Sequence, residues 1–269
     1  MSTKRKIVVM SVILLIGLLV LSSSLVFSVR KINVSLAQGT TFAQLEAEEK
    51  EILSGSGIRK NRSIFFVNTR RAVRNIEKNV PYARVEHITR SFPDRITISL
   101  SLRTGLFYFR HEHGYDRDYL LLDRNLKVLE RRNAQIVSQF LTNPDSTQNI
   151  QLINVPAGPL TPGQFMKVSL VYNFVNELMV PRQPGGGVPF VYDLRADIKS
   201  IARSGNDLIL VTRDFESVIT IQNATVNVIG LGNAFITYMM MHYHAYTEKR
   251  AIRFHNTGGV WQFESHTYQ

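Results

Sequence analysis

One long apolar stretch near the N-terminus restricts what this chain can fold into more than any other feature. Residues 7–27 read IVVMSVILLIGLLVLSSSLVF and contain no charged side chain. As a helix, this stretch is about 30 Å long at about 1.5 Å of rise per residue, which matches the hydrocarbon core of a bilayer. The sequence therefore predicts a single transmembrane helix over 7–27, preceded by a short cytoplasmic tail over 1–6.

Basic residues on the two sides of the stretch predict its orientation. Lys4, Arg5 and Lys6 precede it closely, and Arg30 and Lys31 follow it. Cytoplasmic flanks of membrane helices carry an excess of lysine and arginine. We therefore expect a single-pass protein of the cell membrane with its N-terminus in the cytoplasm and its C-terminal domain extracytoplasmic.

A cleaved signal peptide is the alternative for the same stretch. The basic residues before it and the small residues near Ser24 and Ser28 fit a signal peptide. The apolar core of a signal peptide, however, spans roughly 7–15 residues. The greater length found here favours an uncleaved anchor, and both interpretations export the same domain.

Composition excludes several classes of function. The chain has no cysteine, so it has no disulfide, no thiolate metal site and no thiol nucleophile. Without the three basic residues that precede the span, 29 basic and 21 acidic residues remain, a net charge of +8. A basic domain beside a membrane is drawn to anionic lipid or anionic cell-wall polymer. Nucleic acid is not expected as a partner, because the chain is exported and carries no recognition motif for it.

Residues 29–103 follow a pattern that predicts a small α+β domain. Polar and apolar residues alternate over 29–36 and over 95–103, as is typical of half-buried strands. Apolar residues at helical spacing predict two helices, one over about 41–53 and one that begins after Asn68 or Thr69 and ends at Pro81. A less clear strand follows Pro81, before a turn. The order β-α-α-β-β predicts three strands covered on one face by two helices.

Several motifs in this region resemble a known domain. They are Asn61-Arg62-Ser63-Ile64-Phe65, the strand entry Pro81-Tyr82-Ala83-Arg84-Val85 and the hairpin Arg90-Ser91-Phe92-Pro93-Asp94-Arg95-Ile96. With the order of elements, they resemble a POTRA domain. A POTRA domain directly after one membrane span resembles the bacterial cell-division family FtsQ, called DivIB in Gram-positive bacteria. That family usually ends the domain with an acidic-basic pair before a proline, whereas this chain reads Ser101-Leu102-Arg103-Thr104.

The resemblance implies the architecture and the role of the remaining chain. Residues 104–269 are expected to form the family's C-terminal β domain, a mixed α/β domain with a curved sheet. The family implies a scaffold of the division machinery at the septum, which binds the small bitopic proteins FtsB/DivIC and FtsL. Through them it helps to control septal peptidoglycan synthesis. The family implies neither an enzyme nor a cofactor.

The resemblance places the main binding site in the C-terminal segment. Residues 251–263 predict a strand, a turn and a second strand. In the family's final segment, an Arg-aromatic pair precedes such a turn and a Trp; here Arg253, Phe254 and Trp261 match them. A terminal strand is often a sheet edge that another chain can pair with, and Arg and Trp are common at binding hot spots. Phe254 and Trp261 have two open interpretations, as exposed anchors or as core residues.

A second candidate surface lies on the predicted second helix. Arg70, Arg74 and Lys78 are spaced i, i+4, i+8 and form one basic stripe. One interpretation is a solvated helix face that serves solubility. The other is contact with anionic lipid, with cell-wall polymer or with the acidic surface of another division protein.

No residue set in the sequence predicts catalysis or a metal site. His111-x-His113 and His242-x-His244 could each direct two ligands at one ion, but neither pair has a third ligand at a recognisable spacing. The glycines at 185–187 lack the Lys-Ser/Thr of a phosphate loop. We therefore expect a non-enzymatic interaction protein. The alternatives are a signal-anchored cell-wall enzyme and another POTRA-containing export or assembly factor.

Overall fold

The structure is a computed structural model that describes residues 10–15, 26–36, 43–110, 118–132, 149–155, 158–182 and 189–267. The chain divides into two units, Met1–Arg103 and Thr104–Gln269. Each unit has a hydrophobic core of its own.

The predicted membrane span is described only in part. Residues 10–15 are helical, and residues 26 and 27 lead into the first unit. The rest of the stretch over 7–27 lies outside the described residues. Among the residues that are described, no helix is both long enough and apolar enough to cross a membrane.

The first unit is a three-stranded sheet with two helices, in the predicted order β-α-α-β-β. Strand β1 runs parallel to β3, and β2 runs antiparallel to β3, so that β3 is the central strand. The elements are β1 Lys31–Leu36, α1 Ala43–Gly55, α2 Thr69–Asn79, β2 Ala83–Ser91 and β3 Arg95–Leu102, with a short 3₁₀ turn at Ile64–Phe66 before α2.

The alternation of β3 explains the core of this unit. Ile96, Ile98 and Leu100 are fully buried, because successive side chains of a strand point to opposite faces and one face is covered. Ile52 of α1 and Ile76 of α2 join them in the same cluster. The strand and helix patterns found in the sequence are therefore confirmed here.

The second unit is a mixed sheet of nine strands in the order β12-β11-β10-β9-β8-β7-β4-β5-β6. The strands are β4 Gly105–Arg110, β5 Tyr119–Asp123, β6 Val128–Arg132, β7 Ile150–Ile153, β8 Ile198–Ser204, β9 Asp207–Thr212, β10 Val218–Ile221, β11 Arg250–Thr257 and β12 Val260–Thr267. The helices are α3 Ser169–Leu178, α4 Leu194–Asp197 and α5 Val228–Met241.

Helical crossovers connect two of the three parallel strand pairs in this sheet. Parallel neighbours need a long connection, usually a helix. Helix α3 lies between β7 and its parallel neighbour β8, and α5 lies between β10 and its parallel neighbour β11. The two helices pack together through Phe174 and Phe235, whose ring centroids are 5.4 Å apart in an edge-to-face arrangement.

Helix α5 begins directly after an asparagine and contains two glycines in its first turns. Asn227 caps its N-terminus, where its side-chain oxygen accepts a hydrogen bond from the Gly230 N–H at 3.2 Å. Gly230 and Gly232 disfavour a helix by propensity, but Gly232 has a packing role. A Cβ at that position would lie 2.5 Å from Cγ of Glu177, so only glycine allows α3 and α5 to approach this closely.

The turn between β5 and β6 places a residue other than glycine in the left-handed region. Leu126 has a φ of 59°. The Asp123 carboxylate accepts backbone hydrogen bonds from Asn125 at 2.8 Å and from Lys127 at 2.9 Å. This side chain holds the turn and thereby stabilises the unusual conformation of Leu126.

Two buried tyrosines make the second unit sensitive to alkaline pH. Burial and the neighbouring Asp197 carboxylate, to which the Tyr192 hydroxyl donates a hydrogen bond, raise the pKa of Tyr192. Burial and a hydrogen bond with Tyr246 raise the pKa of Tyr238. Both rings stay neutral in the folded state at a pH where an unfolded chain ionises its tyrosines.

We expect the free energy of unfolding to fall as the pH rises above about 10, the ordinary pKa of tyrosine. Above that pH the unfolded state binds fewer protons than the folded state, so stability decreases with pH; below it the full stability is present. Tyr238→Phe should make this decrease shallower, as measured by urea unfolding at several pH values. The same change at the exposed Tyr172 is the control, and an unaltered slope in Tyr238→Phe would contradict the prediction.

Candidate partner-binding surface

The last two strands form a tight hairpin at one end of the nine-stranded sheet. Gly258 and Gly259 connect them with φ of 62° and 87°, the left-handed values that a two-residue type I′ turn requires. Thr257 pairs with Val260 across this turn, and the pairing continues without a shift to Arg250 and Thr267. Among the described strands, β12 has β11 as its only neighbour, so β12 is an edge strand.

The hairpin geometry determines which backbone groups of β12 are free to pair. The pair that closes a two-residue turn is hydrogen-bonded, and hydrogen-bonded pairs alternate along an antiparallel ladder. The backbone N–H and C=O groups of Trp261, Phe263 and Ser265 therefore point away from β11. We call this row of groups the open edge.

Phe254 lies in the core of the second unit. Its side chain is fully buried, with ring centroids 5.8 Å from Phe235, 5.2 Å from Tyr238 and 6.0 Å from Phe263. Of the two interpretations that the sequence left open, the structure supports the core residue. Phe254 belongs to β11, which lies inside the sheet, so the strand over 251–255 is not itself the edge.

Trp261 is also largely buried, and it fixes the hairpin to α5. Its indole Nε1 donates a hydrogen bond of 3.0 Å to the backbone oxygen of Asn227, at the start of the helix. The Asn227 side-chain nitrogen donates in turn to the backbone oxygen of Gly259 at 3.0 Å. The ring therefore supports the edge strand from the core side.

Arg253 is the exposed member of the three predicted binding residues. It lies on the face of β11 opposite to Phe254, across from Glu264 of β12 and Thr220 of β10. Within the described residues, its guanidinium group forms no ion pair with a carboxylate. Arg253 is therefore free to pair with an acidic group of another chain.

Phe263 is a candidate contact residue that the sequence reasoning missed. Its ring is 41% exposed and lies 4.6 Å from the Tyr238 ring and 5.1 Å from the His242 ring, measured between centroids. It stands two positions after Trp261, so strand alternation already placed the two rings on one face. A strand added at the open edge would cover the exposed part of Phe263.

The basic stripe lies on the exposed side of α2. Arg70, Arg74 and Lys78 are all exposed, while Ala72 and Ile76 on the other side of the helix are buried. Both interpretations of this stripe require exposure, so exposure does not choose between them.

The histidine pairs do not form a metal site in the described part of the chain. His242 stacks against Tyr238, and His244 Nε2 lies 3.8 Å from Oδ1 of the buried Asp197. Across the described ranges, no three His, Cys, Asp or Glu side chains come close enough to hold one ion. His111, His113 and the glycines at 185–187 lie outside the described residues.

Comparison with known proteins adds evidence for the first unit. The family model described as "POTRA domain, FtsQ-type" matches residues 27–101. Cell division protein DivIB of Clostridium botulinum (strain Hall) is 33% identical over 84 residues, 31% of this chain and 31% of that protein. The chain carries an FtsQ-type POTRA domain, and its resemblance to the FtsQ/DivIB family is confirmed. The DivIB protein of Clostridium tetani is 28% identical over 143 residues, 53% of this chain and 46% of that protein.

The matched segments thus span about a third to a half of the length of these DivIB relatives. What a whole FtsQ/DivIB protein does in the cell therefore has to be argued for this chain from its own surfaces.

We expect Phe254→Asp to destabilise the second unit strongly and Arg253→Gln to leave its stability almost unchanged. A carboxylate in place of the buried ring should lower the free energy of unfolding of the second unit by at least about 3 kcal/mol, since it removes packing and buries a charge. Arg253→Gln should change it by less than about 0.5 kcal/mol, because the side chain is exposed. Trp261, the only tryptophan, reports urea unfolding directly at this hairpin. A Phe254→Asp variant as stable as the parent chain would show that the ring is not a core residue.

Proposed function

We propose that this chain is a single-pass membrane scaffold of the bacterial division machinery. In this role it binds small bitopic division proteins similar to FtsB/DivIC and FtsL at the septum, and it helps to assemble and regulate septal peptidoglycan synthesis. The FtsQ-type POTRA domain and the similarity to proteins named cell division protein DivIB support this role. It is an assembly role that needs no catalytic residues.

The single observation that carries the proposal is the open edge of β12. Free N–H and C=O groups at a sheet edge can pair with an extended segment of another chain, and such β-addition is a common mode of peptide recognition. Trp261 and Phe254 hold this edge in place from the core side. Arg253 and the exposed part of Phe263 supply side-chain contacts on the two faces.

The apolar stretch over 7–27 supports the membrane anchor in this proposal. It has the length of a bilayer span, and basic residues on its N-terminal side favour a cytoplasmic N-terminus. The POTRA domain, which begins where this stretch ends, then lies on the extracytoplasmic side together with the second unit.

A proline at position 265 tests whether a partner pairs with the open edge. The N–H of Ser265 points away from β11, so Ser265→Pro removes an outward donor without removing a bond of the hairpin, and edge strands tolerate such a proline. We expect capture of the FtsB/DivIC-like protein to weaken roughly tenfold or more, equivalent to about 1.4 kcal/mol. Affinity is measured with the full chain in detergent or nanodiscs.

Two matched variants keep this test specific. Ser265→Ala loses the hydroxyl but keeps the N–H, so it should bind as the parent chain does. Glu264→Pro removes an inward N–H and should destabilise the hairpin itself. Full-strength capture by a folded Ser265→Pro variant would rule out pairing at this edge.

Protease accessibility tests the anchor. When protease is added to intact spheroplasts, we expect digestion of the chain after residue 27, because that portion should lie outside the membrane. Protection of this portion would contradict the topology. A mature protein that begins near Arg30 would show that the stretch is a cleaved signal peptide.

A further inference from the structure

A cavity in the first unit has three arginines in its lining. Its volume is about 410 Å³, and its lining includes Arg59, Arg62 and Arg71 together with Asn75. No carboxylate in the described part of the chain pairs with any of these three guanidinium groups. Three like charges around one cavity repel each other unless an anion lies between them.

The start of α2 adds to the positive potential of this cavity. Arg71 stands in the first turn of the helix, and its backbone N–H donates to the side-chain oxygen of the N-cap residue Asn68 at 2.9 Å. The N-terminal end of a helix carries a partial positive charge. Arginine forks match the oxygens of a phosphate group, so phosphate is the anion that this lining fits best.

Exposed phenylalanines follow the cavity-lining residues Arg62 and Ser63 along the chain, and one of them, Phe66, lines the cavity itself. The ring centroids of Phe65 and Phe92 are 5.3 Å apart, and both rings are more than half exposed. Both also contact Phe27, at 5.3 and 6.1 Å. Phe66, which lines the cavity, is 89% exposed. Aromatic and basic residues in one surface are typical of segments that lie in the interface of a bilayer.

Backbone pairing fixes this surface beside the end of the apolar stretch. The Ile64 N–H donates to the Phe27 oxygen, and the Val29 N–H donates to the Arg62 oxygen, both at 2.8 Å. Phe27 is the last residue of the stretch over 7–27. Arg62, which lines the cavity, and the neighbouring segment with Phe65 and Phe66 are therefore held where the chain leaves that stretch.

We propose that this surface docks the POTRA domain onto an anionic bilayer, with the phosphate group of a phospholipid in the cavity and the phenylalanines among the headgroups. We call it the headgroup surface: Arg59, Arg62, Arg71, Phe65, Phe66 and Phe92. The proposal rests on the membrane anchor proposed above. It assigns the lipid contact to this surface and not to the basic stripe on α2.

The absence of cysteine allows a direct test. An apolar, environment-sensitive dye on Phe66→Cys replaces one exposed ring with another aromatic group. The labelled full chain is reconstituted in nanodiscs of zwitterionic lipid and in nanodiscs that also contain anionic phospholipid. We expect a blue shift of the dye emission that is larger in the anionic nanodiscs, because a phosphate group without a compensating cation in the same headgroup binds the arginines more strongly and so holds the dye in the interface.

Two triple variants in the same background separate the two basic surfaces. Arg59→Gln, Arg62→Gln and Arg71→Gln together should abolish the additional shift in anionic nanodiscs. Arg70→Gln, Arg74→Gln and Lys78→Gln remove the same charge from the basic stripe and should leave the shift intact. All six side chains are exposed, so both variants should keep the thermal transition of the parent chain.

Each remaining outcome overturns the proposal in a distinguishable way. A dye emission typical of water in both kinds of nanodisc would overturn the docking while the anchor stands. If both triple variants lost the additional shift equally, the shift would depend on net charge alone and not on the arginines of the cavity. A chain that binds inorganic phosphate at these arginines in detergent, but shows no additional shift in anionic nanodiscs, would make the cavity a site for a soluble anion. A chain that fails to co-elute with nanodiscs would overturn the anchor and the docking together.

Discussion

The packing of Phe254 against α5 is the contact on which the end of the nine-stranded sheet depends. The ring lies between Phe235 and Tyr238 of the helix and Phe263 of β12. Burying such a side chain stabilises a fold by about 1.5–3 kcal/mol, and each well-oriented aromatic pair adds about 0.5–1.5 kcal/mol. Because Phe254 belongs to β11, this packing holds the strand on which β12 is built. A stable open edge therefore requires the rings beneath it.

Asn227 fixes the position of the edge strand relative to α5. It caps α5 through its side-chain oxygen, donates from its side-chain nitrogen to Gly259 in the hairpin turn, and accepts the indole N–H of Trp261 on its backbone oxygen. One residue thus connects the start of the helix, the turn and the first part of β12. An edge that is already ordered lowers the entropy lost when a partner binds, which leaves more of the pairing energy for affinity.

The sequence predicted those parts of the fold that depend on local pattern. The alternation in β3 puts Ile96, Ile98 and Leu100 on one face of the strand. The predicted order of elements supplies two helices to cover that face, and all three side chains are buried. The same alternation in β11 separates Phe254 from Arg253, but it does not say which face α5 covers. That depends on the crossover between β10 and β11, a long-range feature. The choice between core and surface for Phe254 was therefore beyond sequence reasoning, as was the role of Gly232 in helix packing.

Charge alone does not explain how a basic domain would be oriented on a membrane. The excess of basic residues attracts an anionic surface over a range of about 10 Å at ordinary salt concentration, but this attraction is shared by every basic patch. The basic stripe and the cavity each contribute three positive charges from neighbouring parts of the POTRA domain. The lining of the cavity includes the exposed Phe66, and the backbone of its residue Arg62 is hydrogen-bonded to Val29, close to the end of the apolar stretch. Short-range contacts of this kind, which net charge cannot supply, select one orientation from the many that electrostatic attraction permits.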